Sequence, residues 1–228
     1  MGAITATVPK ALIDVAGKPF LEHQLRLLRA NGVHHVVVCV GHLGEQIEAA
    51  VRTWTLPGMH VKVQFDGPQL LGTGGAIRAA LPLLDHEAFF VLYGDSYLTC
   101  DFGRVQQAFE TIGKLGLMTV FRNEGKFDQS NVEFEDGQLI AYDKRVPTPR
   151  MHYIDYGLGV LSRAAVETLT PGARADLAVL YADLLARQQL AGCAIAERFY
   201  EIGSPAGLAE TRAYLRAQMA GSAMRANV

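Results

Sequence analysis

Three stretches of this 228-residue chain combine residue types suited to a phosphorylated ligand. The first runs from Val8 to Phe20, where Pro9-Lys10, a turn and a helix opened by Pro19 fall within thirteen residues. Lys10 is a cation with the reach to touch phosphate. The second is Leu71-Gly72-Thr73-Gly74-Gly75-Ala76-Ile77, a glycine-rich turn opening a helix. Missing side chains there let a flat ring or a phosphate approach the backbone, and a helix N-terminus favours negative charge. A plain strand-to-helix turn would use the same residues. The third is Phe89 to Ser96, an apolar strand that ends in Gly94-Asp95. Its carboxylate lies at the carboxyl edge of a sheet, where open α/β folds bind ligands. Asp95 suits Mg²⁺, which takes one or two carboxylates together with waters and substrate phosphates. Its ordinary alternative is to cap the following turn.

Other chemistries fit these residues less well. A dinucleotide fingerprint at Gly72 to Ile77 would need a glycine where Ile77 stands, and no acidic strand end follows at the required distance. Gly94-Asp95-Ser96-Tyr97-Leu98 approaches a nucleophile elbow, but the second glycine is replaced by Leu98, so a hydrolase ranks low. His23, His34 and His35 form no ligand spacing, and no Cys-x-x-Cys occurs. The three cysteines, Cys39, Cys100 and Cys193, read as buried, reduced thiols of a cytoplasmic protein. With 21 basic and 23 acidic residues the formal charge is −2, so no global field favours nucleic acid or an anionic membrane. No apolar run approaches the ~20 residues that span a bilayer, and no secretion signal opens the chain.

The elements that must position these residues alternate. Leu21, Leu25 and Leu28 recur at helical spacing after Pro19, and Asn31-Gly32 ends that helix. Val36 to Val40 reads as a strand covered on both faces. A helix from Glu45 to Val51, a strand Val61 to Phe65, a helix Gly75 to Leu83 and a buried strand Phe89 to Tyr93 continue the pattern. A helix Val105 to Ile112 and a strand Leu117 to Phe121 precede strands Val132 to Glu135 and Leu139 to Tyr142, which flank the hairpin signal Asp136-Gly137. Strand Tyr156 to Leu161, helix Leu177 to Gln189, strand Ala194 to Phe199 and a helix from Pro205 to about Met219 finish the chain. The order predicts a three-layer α/β/α, Rossmann-like domain with a mixed, mostly parallel sheet. No linker or repeat divides it, so residues 1–228 read as a single domain.

In order along the chain, Pro9-Lys10 with Gly17-Lys18-Pro19, Leu71-Gly72-Thr73, Gly94-Asp95, Lys144, Asp155-Tyr156-Gly157 and Glu201-Ile202-Gly203-Ser204-Pro205 resemble the motifs of sugar-1-phosphate nucleotidyltransferases. The similarity is greatest to small members acting on manno-heptose, mannose or N-acetylmuramate 1-phosphate. The resemblance implies the nucleotide-diphospho-sugar transferase fold and transfer of a nucleoside monophosphate from a triphosphate to a sugar 1-phosphate, with loss of pyrophosphate. A hexose or heptose 1-phosphate and a guanylyl, uridylyl or thymidylyl group would be the substrates. It further implies that Gly72, Thr73 and Gly74 lie against the base and ribose, that Lys10 and Lys144 hold phosphates, and that Asp95 and Glu201 bind Mg²⁺. Lys144 would take the sugar's phosphate. Asp155 would bind a sugar hydroxyl, and Gly157 would leave room for the ring. A homodimer is left open.

The family carries a G-G-x-G-T-R-L loop and a central first strand about ten residues before the Pro-Lys pair; Gly2 to Thr7 contains neither. The chain therefore reads as a shortened version, missing that first strand. Two rival readings follow: a catalytically impaired nucleotide- or sugar-phosphate-binding protein of the same fold, and a dinucleotide-binding Rossmann protein.

Overall fold

The computed structural model describes residues 7–226, so Gly2 to Ala6 of the expected loop region lie outside the described residues. After a single 3₁₀ turn at Lys10–Leu12, two-residue strands β1 (Asp14–Val15) and β2 (Lys18–Pro19) form a tight hairpin. Its turn residues, Ala16 and Gly17, both have positive φ, at 54° and 84°. That conformation matches the right-handed twist of the flanking strands. Helix α1 (Phe20–Ala30) follows, with Pro19 at its N-cap rather than inside the first turn. Its apolar stripe of Leu21, Leu25 and Leu28 is buried.

Strand β3 (His35–Val40), helix α2 (Gly44–Thr53) and strand β4 (His60–Phe65) form a βαβ unit in which β3 and β4 run parallel as a separate two-stranded sheet. Helix α3 (Gly72–Ala80) leads through a 3₁₀ turn at Leu81–Leu83 to β5 (Ala88–Leu92) and the short β6 (Ser96–Leu98). Helix α4 (Phe102–Ile112) is capped by Asp101, whose carboxylate accepts from the amides of Gly103 and Arg104, and stops at Gly113 with φ of 66°.

The larger, six-stranded sheet is mixed. It contains β7 (Gly116–Arg122), the hairpin β8 (Val132–Glu135) and β9 (Gln138–Tyr142), β10 (Tyr153–Ser162) and β11 (Leu190–Ile195), with β5 pairing to β10. Strand β10 runs antiparallel to β5, β7 and β8, while β11 is parallel to β7. Its register slips between Asp155 and Gly159, and Gly157 there has φ of 97°. Such bulges bend a strand and re-aim its side chains. Helices α5 (Arg163–Glu167) and α6 (Leu177–Ala186) follow β10 and close the face over Leu161, Met118 and Leu190. Strand β12 (Phe199–Glu201) pairs with β6, and α7 (Pro205–Ala226) ends the described chain.

Three expectations need correction. Ala194 to Phe199 is not one strand: β11 starts at Leu190 and stays in the main sheet, whereas β12 leaves it to meet β6. Val36 to Val40 is not a fully buried strand: only Val40 is buried, and among the described residues the edge of β3 toward β5 is unpaired, which exposes the rest. The same opening leaves all of β5 half-buried. Between β3 and β5 lies a cleft of about 1060 Å³ lined by backbone and apolar side chains of both strands, including Val36, Val38, Phe90 and Leu92. Finally, only Cys100 is a fully buried thiol; Cys193 is half-buried and Cys39 opens into the cleft.

Candidate functional site

Asp95 sits in the turn between β5 and β6, and two features hold that turn. Ser96 N–H donates to the Tyr93 carbonyl at 3.2 Å. From beneath, the amide of Gln24 on α1 donates to the carbonyls of Tyr93 at 3.0 Å and Ser96 at 2.8 Å. Gln24 is only 2% exposed, a polar group placed among the leucines of α1 to serve this contact. Buried amides are retained where they find partners.

Pairing of β6 with β12 sets Ser96 opposite Glu201, and Ile202 N–H donates to the Asp95 carbonyl at 3.0 Å. Lys10 arrives from the other side: its Nζ lies 2.9 Å from Asp95 Oδ2. Both side chains keep solvent contact, at 35% and 45% exposure, so the pair contributes little to stability and remains open to a ligand. Glu201 folds over the start of α7. Its Oε2 accepts from the amides of Gly203 and of Ser204, the latter at 3.0 Å, and its Oε1 accepts from Ser204 Oγ at 2.6 Å. All three charged groups meet at Gly203. A Cβ placed there would lie 2.7 Å from Glu201 Oε2, 3.4 Å from Lys10 Nζ and 3.8 Å from Asp95 Oδ2. A side chain at Gly203 would therefore displace the Glu201 carboxylate, and the constraint is this crowding alone, its backbone not being left-handed.

The hairpin that follows the Lys10 turn is anchored by His23, whose Nε2 donates to the Val15 carbonyl at 2.7 Å. Burial holds the imidazole below its ordinary value of 6.5, against the opposing effect of that hydrogen bond and of Glu22. Arg212 donates to the Asp14 carbonyl and ties the same hairpin to α7.

A second cluster flanks the turn on the β10 side. Asp155, 4% exposed at its side chain, accepts from Tyr93 OH at 2.7 Å and from Gly157 N–H at 3.1 Å, with Tyr142 OH at 3.5 Å. Lys144, 39% exposed, places Nζ 3.3 Å from Asp155 Oδ2 and donates to Tyr93 OH at 3.2 Å. The ammonium also lies 4.6 Å from the Tyr93 ring centroid, within cation–π range. Burial first, and the Asp155 charge second, push the hydroxyls of Tyr93, Tyr142 and Tyr181 well above their usual range, so all three remain neutral. Gly157 is needed twice over: its φ is positive, and a Cβ would lie 3.1 Å from Ser96 Oγ and 3.3 Å from the Tyr93 ring.

The glycine turn is less available than its composition suggests. The amides of Gly74 and Gly75 donate to the Ala175 carbonyl, and a Cβ on Gly72 would lie 2.6 Å from that same oxygen. Thr73 Oγ1 donates to Asp176 at 3.1 Å and accepts from Leu177 N–H at 2.8 Å. These glycines let α3 approach the 173–177 segment. Gly72 and Thr73 still border the cleft, near Gly41, Asp66 and Gly94, whereas Gly74 packs on Asp176 and Leu177.

The structure thus joins Lys10, Asp95 and Glu201 in one cluster and Lys144, Asp155 and Gly157 in another, on two sides of the 93–96 turn. Gln24, Tyr93 and Tyr142 were not singled out from sequence, whereas Ser204 before Pro205 reads as an N-cap and does accept from Gly207 N–H at 2.9 Å. For Gln24 a signal existed, an amide on the apolar stripe of an amphipathic helix. Asp95 and Glu201 suit Mg²⁺, which needs no more than two carboxylates. Among the described residues no group of three or more metal-ligating side chains occurs, so no all-protein cage is present. Nor is any helix of the described residues long and apolar enough to cross a membrane.

Comparison with known proteins adds a family and a fold. Residues 1–129 match the profile of the MobA-like NTP transferase domain. Over 95 residues the chain is 44% identical to the bifunctional protein GlmU of Burkholderia mallei and of Burkholderia pseudomallei; the match covers 41% of this chain and 20% of GlmU. The chain thus matches about a fifth of the length of these relatives. Among solved structures, HddC from Yersinia pseudotuberculosis complexed with GMP-PN superposes with a TM-score of 0.77 at 20% identity, covering 91% of this chain and 90% of that one. The inositol-1-phosphate CTP transferase of T. maritima gives 0.76 at 18% identity, covering 93% and 89%. At these identities the likeness shows the fold.

Proposed function

Since the chain belongs to the family of MobA-like NTP transferase domains, we propose that it transfers a nucleoside monophosphate from a nucleoside triphosphate to a sugar 1-phosphate, releasing pyrophosphate. The observation that carries this reading is the convergence of Lys10, Asp95 and Glu201 on Gly203, from segments far apart in sequence. One cation and two carboxylates, all partly exposed, suit a metal-bound polyphosphate. The second cluster, with Lys144, offers a separate cation for a second phosphate.

A phosphate oxygen of the sugar would attack the α-phosphorus. The nucleophile is already an anion, so no general base is required, and positioning with charge neutralisation dominates. In this reading Lys10 leaves Asp95 to engage the triphosphate, and Lys144 orients the sugar's phosphate. Asp95 and Glu201 would hold Mg²⁺, which supplies charge neutralisation to the phosphates. Gly72 and Thr73, at the cleft mouth, would border the nucleotide, and Gly157 would leave space for the sugar ring. The substrate would be a hexose or heptose 1-phosphate, and the partners small molecules rather than nucleic acid or membrane. A cytoplasmic setting fits the use of nucleoside triphosphates.

A binding-only role is favoured by one observation. Among the described residues strands β3 and β5 share no ladder, so none of those residues fixes their tips to each other by strand pairing. A panel of four nucleoside triphosphates against several sugar 1-phosphates, read by phosphorus NMR, separates the two. A new diphosphate-linked product with equimolar pyrophosphate supports transfer. Saturable binding of both ligands with no product would support the binding role, and binding of neither would overturn both.

A further inference from the structure

Asp155 has its acceptor sites occupied before any ligand arrives. Oδ1 takes the Gly157 amide; Oδ2 takes Tyr93 OH and faces Lys144 at 3.3 Å, with Tyr142 OH beside it. A carboxylate so engaged has little left for a sugar hydroxyl. Lys144, by contrast, spends two of its three N–H groups on Asp155 and Tyr93 and keeps its remaining exposure toward solvent. The Asp155 backbone is itself pinned, its amide donating to Asn131 Oδ1 at 3.0 Å, and it lies on the β10 bulge.

We propose that Asp155 is a positioning residue that anchors Lys144 and tempers its attraction for phosphate, and is not a ligand of the sugar ring. The inference rests on the reading of Lys144 as the cation for the sugar's phosphate. A phosphate bound to the outer side of Nζ lies close enough to Asp155 to be repelled by it. One unit charge at roughly 6 Å from a dianion changes affinity about tenfold even at the dielectric of water. Asp155 therefore trades binding strength for a fixed Lys144 geometry, which lowers occupancy and raises the fraction of bound phosphate that is correctly aligned.

The discriminating variant is Asp155→Asn. The Gly157 amide keeps an oxygen partner, and the hydroxyls of Tyr93 and Tyr142, which donate to Oδ2, can turn to accept from the new amide, whereas the Lys144 ammonium, which can only donate, loses both its acceptor and the opposing charge. Binding of glucose 1-phosphate and of inorganic phosphate is measured by calorimetry for the parent protein, Asp155→Asn, Lys144→Ala and the double variant. Turnover is measured with the best substrate pair. The expected result is about tenfold tighter phosphate binding in Asp155→Asn, with kcat lowered and KM for the sugar 1-phosphate lowered too. In the double variant the gain in affinity should largely disappear, because the effect runs through Lys144. Weaker or unchanged phosphate binding in Asp155→Asn would overturn the proposal, as would a gain that survives in the double variant. A Lys144→Ala protein that binds phosphate as well as the parent would instead remove the phosphate reading of this site, and the proposal with it. Circular dichroism and melting temperature for each variant show whether the fold is retained.

Discussion

Gly203→Ala perturbs the proposed centre with one carbon. The new Cβ would stand 2.7 Å from Glu201 Oε2, closer than the 3.0 Å limit that real Cβ contacts respect, so the carboxylate must withdraw by about 0.3 Å or rotate away. Rotation breaks its bonds to the amides of Gly203 and Ser204 and to Ser204 Oγ, and so frees Ser204, whose hydroxyl caps α7 by accepting from Gly207 N–H at 2.9 Å. Loss of such a cap costs about 1 kcal/mol, equivalent to a fall of roughly 2–4 °C in melting temperature for a chain of this size. Turnover should suffer more. A misplacement of about 1 Å costs on the order of a hundredfold, so rotation of the carboxylate should cost up to that and a withdrawal of only about 0.3 Å a few-fold, and the magnesium concentration for half-maximal rate should rise. Gly94→Ala supplies the control, since a Cβ there meets nothing within 4 Å and neither glycine has a left-handed backbone. Its melting temperature should stay within about 1 °C of the parent, as for other unconstrained surface changes. Differential scanning calorimetry and a magnesium titration of initial rate decide the matter. An unchanged melting temperature and unchanged magnesium dependence in Gly203→Ala would refute the convergence argument.

Lys144→Ala should raise KM for the sugar 1-phosphate about 10- to 100-fold, the loss of one charge-assisted contact, and leave KM for the nucleotide within about twofold; equal changes in both would show that Lys144 is misassigned. Acid should destabilise the protein starting near pH 6.5: His23 is held below that value, so its unfolded form binds the extra proton first and stability falls as the pH drops toward the folded value. In His23→Gln this part of the pH dependence, measured by urea unfolding between pH 5 and 8, should flatten, and persistence of the full slope would contradict it. Filling the cleft between β3 and β5 with an extended apolar strand, fused ahead of Thr7, should raise the melting temperature and activity and slow amide exchange in both strands; an extension that leaves exchange at β3 and β5 unaltered would show that the cleft is not a strand site.

Local chemistry made much of this fold legible. Hairpin residues Asp136 and Gly137 adopt φ of 48° and 78° between Glu135 and Gln138, as an Asp-Gly turn requires. The leucines of α1 and the apolar run ending at Asp95 were equally plain, because periodicity and strand ends are properties of neighbouring residues. What escaped reading depends on partners distant in sequence. The glycines at 72 to 75 look like a ligand turn until the 173–177 segment is seen against them. Glu201 was legible as an acid near a glycine, but its hold on the amides of Gly203 and Ser204 ahead of α7 follows from a three-residue fold-back. Splitting of 194–199 between two strands reflects competition between β7 and β6 for pairing, which no local propensity encodes. The Tyr93, Tyr142 and Asp155 cluster carries no periodic signature at all, since its members come from three separate segments.

The central claim is that a sugar 1-phosphate oxygen attacks the α-phosphorus of a nucleoside triphosphate at Asp95. It is tested most directly with a sugar 1-phosphate carrying ¹⁸O in its phosphate, followed by phosphorus NMR in the parent protein and in Asp95→Ala. The account predicts label in the diphosphate bridge of the product, none in the released pyrophosphate, and loss of both signals in Asp95→Ala with the melting temperature nearly unchanged. Label in pyrophosphate, unlabelled nucleoside monophosphate as the only product, or an Asp95→Ala rate equal to the parent would contradict it.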